Sequence, residues 1–216
     1  MVFDSVSALL ELSGPVEGAD RHVEDCGPDG DIGDQYRDLL RRQNGFFAFD
    51  QALQVFPSGR SEIGASVQSW NSTDLWGGEY GDMIEGHWFF AQDVFGVQFS
   101  IFEGAIVTFD PETADVSPFA SSFQEWAAAV LADNGTAVGA RLATRWLQRN
   151  GVLRDGQRLA PKVPFILGGR SRIEDLYAAD AVQALKFYAS LAIQVRDLPD
   201  GTPIIWSTES PPARSE

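Results

Sequence analysis

Residues 87–110 read HWFFAQDVFGVQFSIFEGAIVTFD. Val97, Phe99 and Ile101 alternate with Gln98 and Ser100, so a period of two sets apolar side chains on one side and polar ones on the other. That is the pattern of a half-buried β-strand. The aromatic-rich run from His87 to Gln92 is joined to it through Asp93 to Gly96, a tight turn. Glu103-Gly104 then reverses the chain into Ala105 to Phe109, and Asp110-Pro111 ends that run. The stretch predicts three adjacent antiparallel strands.

Helical signals flank this centre. Upstream, Tyr36, Leu39 and Leu40 recur at helical spacing after Asp34, and Asn44-Gly45 supplies the left-handed stop of a helix C-terminus. Phe46 to Phe56 reads as extended, closed by Pro57-Ser58-Gly59. Downstream, Ser122 with Glu125 forms an S-x-x-E capping box ahead of Phe123, Trp126, Val130 and Leu131 on one face. A second helix is expected from Thr136 to Arg149, with Val138, Leu142 and Trp146 inward and Arg141, Arg145 and Arg149 outward. Val163 to Leu167 reads as a short strand, and Ala179 to Val195 as a long helix with Val182, Leu185, Ala189, Ala192 and Val195 on its apolar face. A final edge strand is expected at Pro203 to Ser207.

The chain therefore divides into an acidic, partly mobile segment (1–33), a core (34–133), an extension packed on it (134–208) and a disordered tail (209–216). Within the first segment, Val2 to Leu12 suggests a brief amphipathic helix, and Ser13 to Asp34 reads as a Gly-, Pro- and acid-rich linker. There is no internal repeat.

Charge is the second organising feature. The net charge is −15 over 216 residues, and no Lys or Arg occurs from Ser61 to Ala140. The same eighty residues hold twelve Asp or Glu and thirteen of the 25 aromatics. Residues 134–216, by contrast, carry eleven bases against eight acids, so this third is expected to lean electrostatically on the acidic middle. A uniformly negative surface repels nucleic acid and anionic lipid and attracts cationic proteins. The expected partner is accordingly a basic protein, with no nucleic acid and no membrane. The first residues lack the basic start of a signal peptide, and no apolar run nears the ~20 residues of a membrane helix. With the single Cys26, these features predict a soluble, cytoplasmic protein.

The inventory for catalysis is thin. His22 sits in the linker, and His87 reads as a strand-end histidine. Asp25, Asp29, Asp31 and Asp34 alternate with glycines but do not match an EF-hand loop, so no metal is expected. Trp76-Gly-Gly-Glu-Tyr-Gly81 lacks the Lys-Ser/Thr of a phosphate loop, and no G-x-S-x-G occurs. No catalytic residue and no cofactor is expected. The arginine stripe at 141, 145 and 149 reads as a solvated helix face rather than an RNA contact. A further reading is an enzyme, such as a hydrolase with an unfamiliar carboxylate site, which would need buried, closely paired acids in a cleft.

What remains is the loop from Ser58 to Gly86. Trp70, Trp76 and Tyr80 lie there among Asp74, Glu79, Asp82 and Glu85, and aromatic anchors ringed by charge are how interfaces concentrate affinity. Glu62 lies in the same loop, and the seven residues just named are the candidate partner-binding set. The alternative is that the tryptophans simply pack over the sheet, and the sequence leaves both readings open.

Taken in order, these features resemble a known family. A helix ending at Asn44-Gly45 precedes Phe89-Phe90-Ala-Gln-Asp93-Val-Phe-Gly96, then Phe109-Asp110-Pro111-Glu112-Thr113, then a helix opening Ala120-Ser-Ser-Phe123-Gln-Glu-Trp126. From about Asp34 to Asp133 this is similar to the SUKH superfamily of Smi/Knr-like proteins, and Ala160 to Trp206 resembles the C-terminal extension of some bacterial members. The resemblance implies an α+β fold: one twisted, mostly antiparallel sheet with helices packed against one side. It also implies a non-enzymatic immunity protein that neutralises a bacterial toxin by occlusion, or else a regulatory or scaffold protein that binds another cellular protein. No contact residue is carried over by position.

Overall fold

A computed structural model describes residues 4–15, 23, 26–59, 64–199 and 202. The expected strand at 203–207, the tail at 209–216, His22, Asp25 and Glu62 lie outside these residues. Seven strands follow one another in chain order across a single antiparallel sheet: β1 (Ser13–Pro15), β2 (Phe46–Ala48), β3 (Leu53–Val55), β4 (Trp88–Asp93), β5 (Gln98–Phe102), β6 (Ala105–Phe109) and β7 (Val116–Ala120). A separate antiparallel pair is formed by β8 (Gln157–Pro161) and β9 (Leu176–Asp180). The helices are α1 (Ser5–Glu11), α2 (Asp31–Arg42), α3 (Val67–Trp70), α4 (Phe123–Ala132), α5 (Asn134–Ala137), α6 (Ala140–Asn150) and α7 (Ala181–Val195). The fold is α+β, and its central three strands are those predicted from residues 87–110.

Several expectations are corrected. Phe46 to Phe56 is a hairpin rather than one extended run. Its reversal uses Phe49, Asp50 and Gln51, each with φ between 53° and 65°. Non-glycine residues pay about 1 kcal/mol or more each for that left-handed region, so the sequence carried no turn signal there. The linker reading of Ser13 to Asp34 also fails at both ends. Ser13–Pro15 pairs with β2, and α2 already begins at Asp31. The helix expected from Thr136 breaks at Gly139, whose φ is +69°. A Cβ there would lie 2.7 Å from the Phe95 ring and 2.9 Å from Val94, so the chain passes too close for a side chain. Val163 to Leu167 forms no strand, and Phe165–Leu167 is a single 3₁₀ turn.

The local caps behave as their chemistry requires. The Ser122 hydroxyl accepts the Glu125 N–H at 3.1 Å, although Glu125 reaches back to the N–H of Ser121 rather than closing a reciprocal box. Asp180 caps α7 through the N–H of Gln183. The first helix is pinned by Gln124, which accepts the Ser5 N–H at 2.9 Å and donates to Asp4.

Both faces of the main sheet are covered. On one, Phe90 and Phe99 meet Trp126, and Phe90 also meets Tyr36 of α2 and Phe123 of α4. This is the apolar face the alternation predicted. The opposite face is polar at its centre and nevertheless buried: Gln98 and Ser100 are both 0 % exposed. Gln54, Gln92 and Gln98 stand opposite one another in register on β3, β4 and β5. Gln92 donates to Gln54 at 2.9 Å, and Gln98 donates to the carbonyl of Gly96 at 2.6 Å and accepts the Trp70 indole N–H at 2.8 Å. An amide buried without such partners costs about 1–3 kcal/mol, so the ladder and its roof require each other.

The roof comes from two places, residues 64–87 and the C-terminal third. Arg158 of β8 is buried, donates to Gln54 and lies 5.7 Å from the Phe47 ring centre. Beside it, the N–H of Leu159 bonds to the carbonyl of Val94 at 2.8 Å. Leu159, Leu176, Leu185 and Ala189 belong to the same apolar core as the sheet. The extension is therefore part of the core that it covers.

Asn71 completes the sheet where β3 ends. Its amide accepts the Phe89 N–H at 2.8 Å and donates to the Phe89 carbonyl at 2.8 Å, acting as a further ladder rung on β4. Replacing Asn71 with Ala should lower stability by about 2 kcal/mol, because a backbone donor and acceptor lose their partner together. A urea midpoint unchanged from the parent would show that β4 holds without this clamp.

Asp93, at the end of β4, predicts a pH signature. Burial pushes its carboxyl up to about 7, against the opposing pull of the Phe95 and Val97 N–H groups and of the Arg158 charge. Its ordinary value is 3.8, so the folded chain holds this proton more tightly than the unfolded one. Stability from this group is full below the unfolded value and is lost as pH rises through the folded value. His87 acts oppositely: burial pushes it from 6.5 down to about 4, so its contribution is lost as pH falls across that interval. The Asp93→Asn variant retains an acceptor for both N–H groups. Its stability relative to the parent should rise with pH from roughly 4 to 7 in urea titrations. A flat difference would contradict the buried-carboxyl account.

Candidate functional site

The segment between β3 and β4 is built from short, locally capped turns. Ser66 caps α3 by accepting the Ser69 N–H, and Val67 anchors it by donating to the Pro57 carbonyl at 2.7 Å. Two 3₁₀ turns follow, Gly77–Glu79 and Gly81–Ile84. With the amide ladder beneath, this segment turns its large rings inward. Trp70 stacks on Phe56 with centroids 4.4 Å apart, Trp76 meets Tyr80 edge-on, and the Tyr80 hydroxyl donates to the Pro111 carbonyl at 2.7 Å.

The seven candidate residues thus separate by type. Trp70, Trp76 and Tyr80 are 3 %, 1 % and 1 % exposed, so of the two readings left open the rings follow the packed one. They are interior because the polar sheet face needs an apolar lid, and burying such a ring removes 150–250 Å² from water. Asp74, Glu79, Asp82 and Glu85 are exposed.

Beside Asp82 and Glu85 lies a cavity of about 370 Å³, lined also by Trp70, Trp76, His87 and Phe89, by Asn71, Thr73 and Ile84, and by the glycines at 77, 78 and 81. The cavity brings two of the predicted rings and two of the predicted acids into one site, while Asp74, Glu79 and Tyr80 lie off its wall. His87 sits one residue before β4, at the strand-end position expected of it. Its ring also lies flat against Phe102, with centroids 4.2 Å apart, and its Nδ1 is 3.0 Å from the Ser100 hydroxyl. With its pKa pushed down to about 4 by burial, His87 is uncharged at neutral pH.

The exposed charge of the middle segment is negative. Of the eleven described acids between residues 61 and 140, only Asp93 and Glu112 are buried. Among the described residues, Asp82 alone of this set carries a salt bridge, from Arg196 at 2.7 and 2.8 Å. That contact and the buried Arg158 are where the basic C-terminal third meets the acidic middle. Arg141, Arg145 and Arg149 are exposed, on one side of α6.

Asp110 and Glu112 come nearest to the paired acids an enzyme would need. Burial pushes the carboxyl of Glu112 up. Partial burial raises the carboxyl of Asp110 too, although the residue as a whole is exposed. Their oxygens are engaged by backbone: Asp110 accepts the Glu112 N–H, and Glu112 accepts the Ile166 N–H at 2.8 Å. The neighbouring cavity is walled by Thr113, Ala114 and Asp115 instead. Glu112 thereby fastens the turn at Phe165–Leu167 to the core. Asp31 and Asp34 sit in the first turn of α2, where acids complement the helix dipole. Among the described residues, no three His, Cys, Asp or Glu side chains converge as metal ligands would. Nor is any described helix long and apolar enough to cross a membrane.

No protein-family model matches the chain, and no curated protein matches it in sequence. Among solved structures it is similar to Atu4351 from Agrobacterium tumefaciens, at 17 % identity and a TM-score of 0.49, over 83 % of this chain and 86 % of that one.

Proposed function

We propose that this chain is a non-enzymatic, protein-binding module that occludes a basic partner, and that its partner is a cognate bacterial toxin in the cytoplasm. The observation that carries the reading is the single sign of the exposed charge in residues 61–140. Nine of the eleven described acids between residues 61 and 140 are exposed, with no Lys or Arg in the interval to neutralise them. Such a field accelerates encounter with a cationic protein and rejects nucleic acid and anionic lipid. Toxins that attack nucleic acid tend to be basic, which makes them natural counterparts. The likeness to the SUKH superfamily, carried by residues 34–133, supports the immunity role in particular. Buried rings change how contact is made: exposed carboxylates steer the partner, and the rings shape the floor beneath them.

The test uses the protein encoded beside this gene as the candidate toxin. Co-expression should restore growth, and the purified pair should form a stable complex. Changing Asp74, Glu79 and Glu85 together to Lys spares the Asp82–Arg196 pair and should slow association about tenfold or more at low salt, with a smaller effect at high salt. An unchanged association rate would place the contact on another face. Absence of both protection and complex would overturn the immunity reading.

A further inference from the structure

Another cavity, of about 330 Å³, lies over the amide row, where residues 64–75 meet the start of α7. We propose that it binds a primary carboxamide, the group at the end of an Asn or Gln side chain. The ligand's carbonyl oxygen is taken by Gln54, and its amino group turns to Asp180. This site stands apart from the protein-binding reading above, and either can fail alone.

The floor of the cavity holds an unspent donor. Gln54 is 7 % exposed and lines the cavity, and its Oε1 accepts from Gln92 and from the guanidinium of Arg158. A guanidinium only donates, so the Gln54 amide cannot be turned the other way round. Its Nε2 is therefore the atom left to the cavity, and it donates to nothing among the described residues. An amide this deeply buried with both N–H groups idle is where an incoming acceptor gains most. The Arg158 charge at its oxygen polarises the amide and makes those N–H groups better donors.

The helix α7 supplies a second donor. The Ala181 N–H bonds to the Gly156 carbonyl at 2.8 Å, and the Gln183 N–H to the Asp180 side chain at 2.9 Å. Val182, between them, has an N–H without a partner among the described residues, and Val182 lines the same cavity. The first turn of a fifteen-residue helix thus brings one of its orphan donors to the site.

These groups select the ligand. Donors at the floor need an acceptor oxygen, which a cation does not bring. A carboxylate brings oxygens together with a charge, and it would meet Asp180, which stands exposed at the rim. The positive charge of Arg158 lies behind Gln54 and is not in the wall. A carboxamide satisfies both ends: its oxygen faces the donors, and its N–H groups face the Asp180 oxygen that Gln183 does not use. No ring contact is required. Phe56 and Trp70 are 1 % and 3 % exposed and close the back of the cavity, while half-buried Ala65, Leu75 and Val182 give sides suited to a short aliphatic stem.

The experiment titrates three small probes of one shape, butyramide, butyrate and 2-pentanone, into the full isotope-labelled chain. The readout is the side-chain amide resonance pair of Gln54, assigned by its loss in Gln54→Glu, which keeps an oxygen for Arg158 and Gln92. Butyramide should shift this pair to saturation. It should bind about tenfold more tightly than 2-pentanone, which keeps the carbonyl but has no N–H for Asp180, as expected for one hydrogen bond to a charged acceptor. Butyrate should bind more weakly than butyramide, and Gln54→Glu should abolish butyramide binding. Asp180→Asn preserves a cap on α7 and should remove most of the preference for amide over ketone. Ala65→Leu should weaken every probe by filling space. Equal binding of butyramide and 2-pentanone, tighter binding of butyrate, or a Gln54 pair that does not move would each overturn the proposal.

The partner complex then shows where the amide comes from. If Ala65→Leu weakens the complex, the carboxamide belongs to an Asn or Gln of the partner. If the complex is unaffected while butyramide binds, the ligand is a free small amide. Butyramide binding without any complex leaves the site standing and removes the protein-binding reading.

Discussion

Everything in this structure is arranged around a polar sheet face that has been taken out of water. Gln54, Gln92 and Gln98 form a row across three strands, hydrogen-bonded to one another, to Trp70 and to Arg158. Amides in such a position are tolerable only when their partners are present and solvent is absent. The row therefore dictates what must lie above it: a lid supplying an indole N–H, a guanidinium and enough apolar area to close the seam. Residues 64–87 bring the first, β8 brings the second, and both bring the third.

This requirement links pieces of chain that look independent. The aromatic loop is drawn inward because its rings are the lid, so its acids alone are left at the surface. The C-terminal third is anchored to the sheet by Arg158 and by Glu112, which accepts the Ile166 N–H. A buried arginine is expensive on its own; its hydrogen bond to Gln54 offsets part of that cost, and the charge of Asp93 adds to this once pH rises above about 7. The raised carboxyl of Asp93 follows from the same geometry and needs no catalytic explanation.

Function, on the reading proposed, uses what the lid leaves over. Rings that roof the amide row also line a cavity, and the loop that carries them presents carboxylates at its mouth. Steering and stability then use different depths of one segment: charge acting at long range outside, and rings closing the amide row inside. This explains why the segment is both acidic and aromatic, two properties that a surface and a core ordinarily divide between them.

The local features were legible from the sequence alone. The hairpins of residues 87–110 follow from alternation and turn residues, α4 from Ser122 and its apolar face, and α7 from the spacing of Leu185, Ala189 and Ala192, because these signals act within a few residues. The negative charge of the middle segment was equally plain. Tertiary structure alone decided that Gln98 and Ser100 are interior, that Trp70, Trp76 and Tyr80 face inward, and that Asn71 serves as a rung on β4. In each case the deciding partner is distant or on another element: Arg158 reaches Gln54 across 104 residues, and Trp70 reaches Gln98 across 28. Alternation reports that a strand has two unlike faces. Whether the polar one meets water depends on whatever the rest of the chain lays over it.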